Sequence, residues 1–248
     1  MDQEQSLNRL SHITTLWTLV RKAHKPGSDT GGAQEALMRR YGGAVHRYLL
    51  GALRDPHAAD ELFQEFSLRF IRGDFHRANP EKGRFRDFVK TSLFHLIVDY
   101  QKAQKRKPRQ FSDNAPEPAA PPSDPADCDR EFLQSWRDEL LDRAWIALAE
   151  DSEQAGQPHY QVLRYRAENP GSTSTQMAEQ LSAKLGKKLT PESVRQTMHR
   201  AREKFADLLL DEVETTLEKP TAERLEQELI DLELLSYCRS ALERRAKQ

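Results

Sequence analysis

Residues 84–109, RFRDFVKTSLFHLIVDYQKAQKRKPR, decide the fold class. At 3.6 residues per turn, Phe85, Phe88, Val89, Leu93, Leu96, Ile97 and Tyr100 fall on one broad face, the pattern of an amphipathic helix of about five turns. The other face carries Arg84, Arg86, Lys90, His95 and Lys102, and beyond the last apolar position come Lys105, Arg106, Lys107 and Arg109. Eight Lys and Arg stand against Asp87 and Asp99, a local charge of +6 in a chain whose formal net charge is −1. Cations gathered beside aromatic rings suit a polyanion, because phosphates supply affinity and flat rings stack on exposed bases. A solvated surface helix whose cations complement its C-terminal dipole explains the same charges without a ligand.

Upstream, a helix from about Gln34 to Leu53 turns Leu37, Tyr41, Val45, Tyr48, Leu49 and Leu53 inward. Asp55 followed by Pro56 is a helix start, a carboxylate N-cap with proline at the first helical position. The helix it opens contains ADELFQEFSLRFIR, burying Leu62, Phe63 or Phe66, and Phe70 while displaying Asp60, Glu61, Gln64 and Glu65. GDFHRANPEKG, residues 73–83, reads as a loop, and a short helix over 5–22 precedes the whole. No stretch alternates as a strand would, so the expectation is an all-α fold.

Six of the thirteen prolines lie between Pro108 and Pro125, and no Lys or Arg occurs from Gln110 to Asp129. That composition predicts an extended linker between two small helical domains. In the second, helices are expected through Phe132, Trp136 and Trp145 and around Tyr160 to Arg166. Thr173 and Gln176 have capping-box spacing, and Thr190 before Pro191 repeats the cap-plus-proline start. The last of these helices points Val194, Met198, Ala201, Phe205 and Leu208 inward and Ser193, Arg195, Gln196, His199, Arg200 and Arg202 outward. This is a helix-turn-helix pattern, since Arg suits guanine edges and Gln adenine edges in a major groove. An ordinary three-helix bundle with a basic surface helix accounts for the same residues. After Pro220, Leu225, Leu229, Leu232, Leu235 and Leu242 line one side of a long helix, which packs on the second domain or offers a groove to a partner.

Length and composition set the outer bounds. A chain of 248 residues, 37% hydrophobic and 31% charged, is long enough for two small cores and too apolar for a disordered one. Cys128 and Cys238 lie far apart with no CxxC spacing, which indicates neither a disulfide scaffold nor a zinc cluster. HExxH, helical Glu-x-x-His and a glycine-rich phosphate loop are all absent from the sequence. His57 with Asp60 and Glu61 is explained by a helix N-terminus. The expectation is therefore a non-enzyme with no catalytic residue, metal, cofactor or small-molecule substrate. No apolar run approaches a membrane span, so a cytoplasmic location without membrane contact is expected.

In this order the pieces resemble bacterial sigma factors of the sigma-70 family, of the compact extracytoplasmic-function (ECF) type. YGGAVHRYLLGALRDPHAADELFQEFSLRFIRG looks like the start of sigma region two, and GRFRDFVKTSLFHLIVDYQKAQKRKP is similar to the helix after it. TQMAEQL and ESVRQTMHRAREKFADLLL resemble region four, so the likeness spans about 36–109 and 130–210. It implies that Asp60, Glu61, Gln64 and Glu65 dock on the clamp helices of core RNA polymerase. Arg84, Arg86, Lys90, His95, Lys102, Lys105 and Arg106 would meet the promoter minus-ten element, with the 73–83 loop holding a flipped base. Arg195, Gln196, His199 and Arg200, with Ser193, would lie in the minus-thirty-five major groove, Arg202 and Lys204 reaching phosphates. The implied layout is an extension over 1–33, a region-two domain over 34–108, a linker over 109–128, a region-four domain over 129–213 and a tail over 214–248. The extension and the tail lie outside the compact pattern and suit a regulatory partner such as an anti-sigma protein. A stand-alone helix-turn-helix regulator is the competing reading, which leaves the outward Asp60 to Glu65 face without a purpose.

Overall fold

The computed structural model describes residues 30–72, 74, 84–106, 125–218 and 220–247. Among them the fold is all-α, with nine helices and no strand. They are α1 (Thr30–Leu53), α2 (Pro56–Arg72), α3 (Phe85–Arg106), α4 (Pro125–Ala155), α5 (His159–Glu168), α6 (Ser174–Leu185), α7 (Pro191–Glu214), α8 (Ala222–Asp231) and α9 (Leu235–Arg245). The expected helix over 5–22, the 73–83 loop apart from Asp74, and the linker up to 124 lie outside the described residues. Two units emerge, Met1–Glu139 with Glu214–Pro220, and Leu140–Val213 with Thr221–Gln248.

In the first unit, α1 buries Leu37, Tyr41, Val45, Tyr48, Leu49 and Leu53, the whole inward set read from the sequence. Arg54, at φ 52°, reverses the chain, and Asp55 Oδ1 then accepts the backbone N–H of His57 (3.0 Å) and Ala58 (3.3 Å). That cap satisfies two N–H groups that have no partner within α2. On α2 the choice between Phe63 and Phe66 falls to Phe66, which is buried with Leu62 and Phe70 while Phe63 is half-buried. On α3, Phe85, Val89, Leu93, Leu96 and Ile97 are buried, whereas Phe88 and Tyr100 are half-buried.

The first half of α4 completes this core. Trp136 stacks on Tyr41 with ring centroids 4.7 Å apart, and Phe132 meets Tyr48 edge-on at 5.3 Å. Glu139 accepts from Arg47 at 2.7 Å. A Cβ on Gly43 would sit 2.5 Å from Glu139 Oε2, so any larger residue there would have to displace the carboxylate that accepts from Arg47. The sequence layout opens a second domain at 129, whereas residues up to Glu139 cluster with the first unit. The reason is the spacing along α4. Cys128, Phe132, Trp136, Leu140, Ala144 and Leu148 are all buried at intervals of four. Steps of four overshoot the 3.6-residue turn by about 40° each, so the buried line winds around the helix and no single face is apolar. Residues 214–220 also belong to this unit, where Arg40 donates to Thr215 Oγ1 at 2.7 Å and Leu217 is buried.

The second unit is built on Val162, Met177, Ala178, Leu181, Val194 and Met198. Thr173 and Gln176 form the expected capping box at the start of α6, and Gly186, at φ 62°, ends that helix in the left-handed conformation. On α7, Val194, Met198 and Ala201 are buried as expected, but Phe205 and Leu208 are only half-buried. Ala206, Leu209, Leu210 and Val213 take the deeper positions, while Phe205 lies 4.7 Å from the Trp145 ring.

The tail is two helices rather than one long one. Glu233 takes φ 58° between them, and the N–H of Leu234 reaches back to Leu229 O at 2.8 Å, a Schellman-type stop that ends α8. Leu225, Leu229 and Leu232 are buried, and Leu235 and Leu242 half-buried. On α9, Cys238 and Ala241 are buried, Arg244 pairs with Glu203 (3.3 Å) and Asp207 (3.0 Å), and Arg245 pairs with Asp211 (2.7 Å).

Candidate partner and nucleic-acid interfaces

The α2 cap at Asp55 sets the phase of that helix, and the burial of Leu62, Phe66 and Phe70 turns Asp60, Glu61 and Gln64 to solvent with Glu65 half-exposed. Asp60 Oδ1 lies 2.8 Å from His46 Nε2, and Glu65 Oε1 accepts from Arg69 Nε at 2.7 Å, whereas Glu61 and Gln64 project freely. Exposed side-chain pairs of this kind, such as the Arg69–Glu65 ion pair, contribute about 0–1 kcal/mol, so the face can exchange partners at low cost. The same stripe runs on through Leu68 and Ile71, both exposed. Sequence reasoning missed these two, although they fall off the Leu62, Phe66, Phe70 line. An acidic and amide patch ending in bare aliphatics suits a protein partner better than a nucleic acid.

On α3 the sequence-predicted basic face divides. Arg86 is a correction: it is only 6% exposed and cannot present its guanidinium to a ligand. Steps of three and four from Arg86 reach Val89, Leu93, Leu96 and Ile97, so it lies on the apolar line that its charge seemed to exclude. Arg84 precedes the helix, half-buried, and its carbonyl accepts from the N–H groups of Asp87 and Phe88, both at 3.2 Å. Lys90 pairs with Asp129 at 3.0 Å. His95, Lys102, Lys105 and Arg106 are exposed as expected. Beside them Phe94, 43% exposed with its ring 6.0 Å from His95, is an aromatic that the sequence reading assigned no role. The open part of α3 is therefore an aromatic pair followed by a cationic end, able to stack on a base and hold a phosphate.

In the second unit α7 starts on a reciprocal cap. Ser193 N–H donates to Thr190 Oγ1 at 3.1 Å, and Thr190 N–H donates to Ser193 Oγ at 2.9 Å. Ser193 thus commits its hydroxyl to the helix start rather than presenting it to a groove. Arg195 bonds Glu192, and His199 Nδ1 lies 3.2 Å from Glu203, while Gln196, Arg200 and Arg202 stand exposed. Lys204 pairs with Asp151 at 2.5 Å and is engaged within the unit. Arg166, absent from the sequence-predicted set, donates to Ser172 O (2.5 Å) and Pro170 O (3.2 Å), fixing the turn that leads into α6. Burial lowers the pKa of His159, opposed by Asp151 and reinforced by Arg200 and Lys204. Burial also pushes the Cys238 thiol up to about 12, which keeps it protonated and unreactive.

Among the described residues no group of three His, Cys, Asp or Glu is placed to hold a metal, and no helix is long and apolar enough to cross a membrane. Residues 37–107 match the family model described as Sigma-70 region 2. No curated protein and no solved structure matches the chain. The matched span takes in most of α1 and all of α2 and α3, with both of their solvent faces. It supports a sigma-70 family factor acting in transcription initiation, a family of transcription factors rather than enzymes. Core RNA polymerase and promoter DNA are the partners that such a role implies.

Proposed function

We propose that the chain is a sigma factor of ECF type that directs core RNA polymerase to specific promoters. The observation that carries this reading is the coincidence of the region-two match over residues 37–107 with two distinct exposed faces inside it. Asp60, Glu61, Gln64 and Glu65, extended by Leu68 and Ile71, dock on polymerase. Phe94 and His95, with Lys102, Lys105 and Arg106, take the minus-ten strand, where stacking and phosphate contacts offset part of the cost of opening the duplex. Arg195, Gln196, His199 and Arg200 on α7 read the minus-thirty-five major groove. The extension over 1–33 and the residues after Pro220 are regulatory additions, the Pro-rich 109–128 stretch is a spacer, and the protein works in the cytoplasm.

The test is run-off transcription with core polymerase over a random promoter library. Initiation from a defined promoter class, with only weak duplex binding by the chain alone, is the expected result. Tight operator binding without polymerase, and no transcription with it, would select a stand-alone helix-turn-helix regulator instead.

A further inference from the structure

An open cleft of about 570 Å³ in the second unit is walled by α5, α6, α7 and α9. Its floor is apolar, formed by Met177, Val194 and Met198. Its rim carries Arg166, Arg195 and Arg202; Arg195 is paired with Glu192, and the one carboxylate lining the cleft, Glu203, is already held by His199 at 3.2 Å and Arg244 at 3.3 Å. Arg166 gives its hydrogen bonds to backbone carbonyls, which leaves its charge uncompensated, and Arg202 has no hydrogen bond or ion pair among the described residues. The rim is therefore net cationic.

The fourth wall comes from the tail. Arg244 and Arg245 fasten α9 to Glu203, Asp207 and Asp211 on the acidic second half of α7, offsetting part of its charge and leaving the open cations at its first half. From that position α9 turns Tyr237, 69% exposed, and Ser240 toward the cleft. Neither side chain makes a hydrogen bond among the described residues. Hydroxyl donors facing guanidinium groups across an open trough match a phosphodiester, whose oxygens accept from both. Arg195 and His199 belong to this rim and also to the face proposed to read bases, so the two surfaces are continuous.

We infer that the cleft seats the phosphate backbone of the duplex read by α7, with the tail helix α9 supplying Tyr237 and Ser240 as its far wall. The inference rests on the proposed role of α7 and adds that residues beyond Pro220 form part of the DNA interface. Contacts of this kind position the duplex and add affinity without adding sequence information.

The experiment measures binding of the full chain with core polymerase to a duplex promoter fragment over about 50–200 mM salt. Ser240→Lys should bind several-fold tighter and steepen the log–log salt slope by about 0.9, one further phosphate neutralised. Ser240→Glu should bind about tenfold weaker with a shallower slope, and Tyr237→Phe should lose a few-fold. None of the three should change the preferred upstream bases. Tightening by the lysine variant cannot arise from loss of fold, and circular dichroism checks the other two. Wild-type affinity and slope in both Ser240 variants, while Arg195→Ala still shifts base preference, would overturn the role of the tail and leave that of α7 standing. A change confined to polymerase affinity would assign α9 to a protein contact and likewise overturn the inference. Failure of the wild-type complex to bind any promoter would remove the reading of α7 and this inference with it.

Discussion

Replacing Trp136 tests whether the first half of α4 belongs to the first unit. The indole is 1% exposed, stacked on Tyr41 at 4.7 Å and close to Phe132 at 5.8 Å. Removing a buried Trp costs about 3–5 kcal/mol, the upper part of that range reflecting lost ring pairing worth about 0.5–1.5 kcal/mol per pair. Trp136→Phe should be much milder. It retains a ring against Tyr41 and removes an indole N–H that has no hydrogen-bond partner, a relief of about 1–3 kcal/mol set against the lost volume. Hydrogen exchange on the full chain resolves the two units. At about 1.4 kcal/mol per factor of ten, Trp136→Ala should lower protection across α1 by about two to three and a half orders of magnitude, with α7 unchanged. Loss of protection in α7 with α1 intact would refute the division at Glu139 and restore a boundary at 129.

Changing Asp60, Glu61 and Glu65 together to Ala should abolish capture of core polymerase while leaving helicity intact, because only exposed ion pairs are removed; retained capture would exclude this face as the docking surface. Arg86→Ala and Lys102→Ala should separate cleanly. The first lowers the thermal midpoint with little effect on the salt dependence of promoter binding, and the second leaves the midpoint and reduces the salt slope by about 0.7–0.9. His159, whose folded pKa lies below its ordinary 6.5, makes the unfolded chain the stronger proton binder between the two values. Stability should therefore be complete above 6.5 and decline as pH falls through that window, and His159→Phe should flatten this part of the profile in pH-dependent thermal melts.

The helices and their caps were legible because they depend on local chemistry. Asp55–Pro56, Thr173 with Gln176 and Thr190–Pro191 each place a side-chain oxygen on an unpaired N–H, and these signals mark starts within a residue. Faces were legible wherever apolar spacing held one phase, as on α1. Two kinds of information were not local. The winding line of α4 serves two cores, and only tertiary contacts show that it changes allegiance after Glu139. Arg86 sits on an apolar line, and sorting residues by charge rather than by angle put it on the wrong face. Phe94, Leu68 and Ile71 fell outside every inward set and were given no role, because only charged and amide residues were read as outward contacts. The break at Glu233 lacks a glycine, so nothing in the composition of the tail announces it.

Both thiols of the chain, Cys128 and Cys238, lie buried in the helical cores, the second held protonated. The folded protein accordingly has a silent background for maleimide chemistry. A fluorophore placed through Gln64→Cys or Ser240→Cys would be the only label it accepts, so its quenching by polymerase or by duplex would report engagement of each surface separately and in real time.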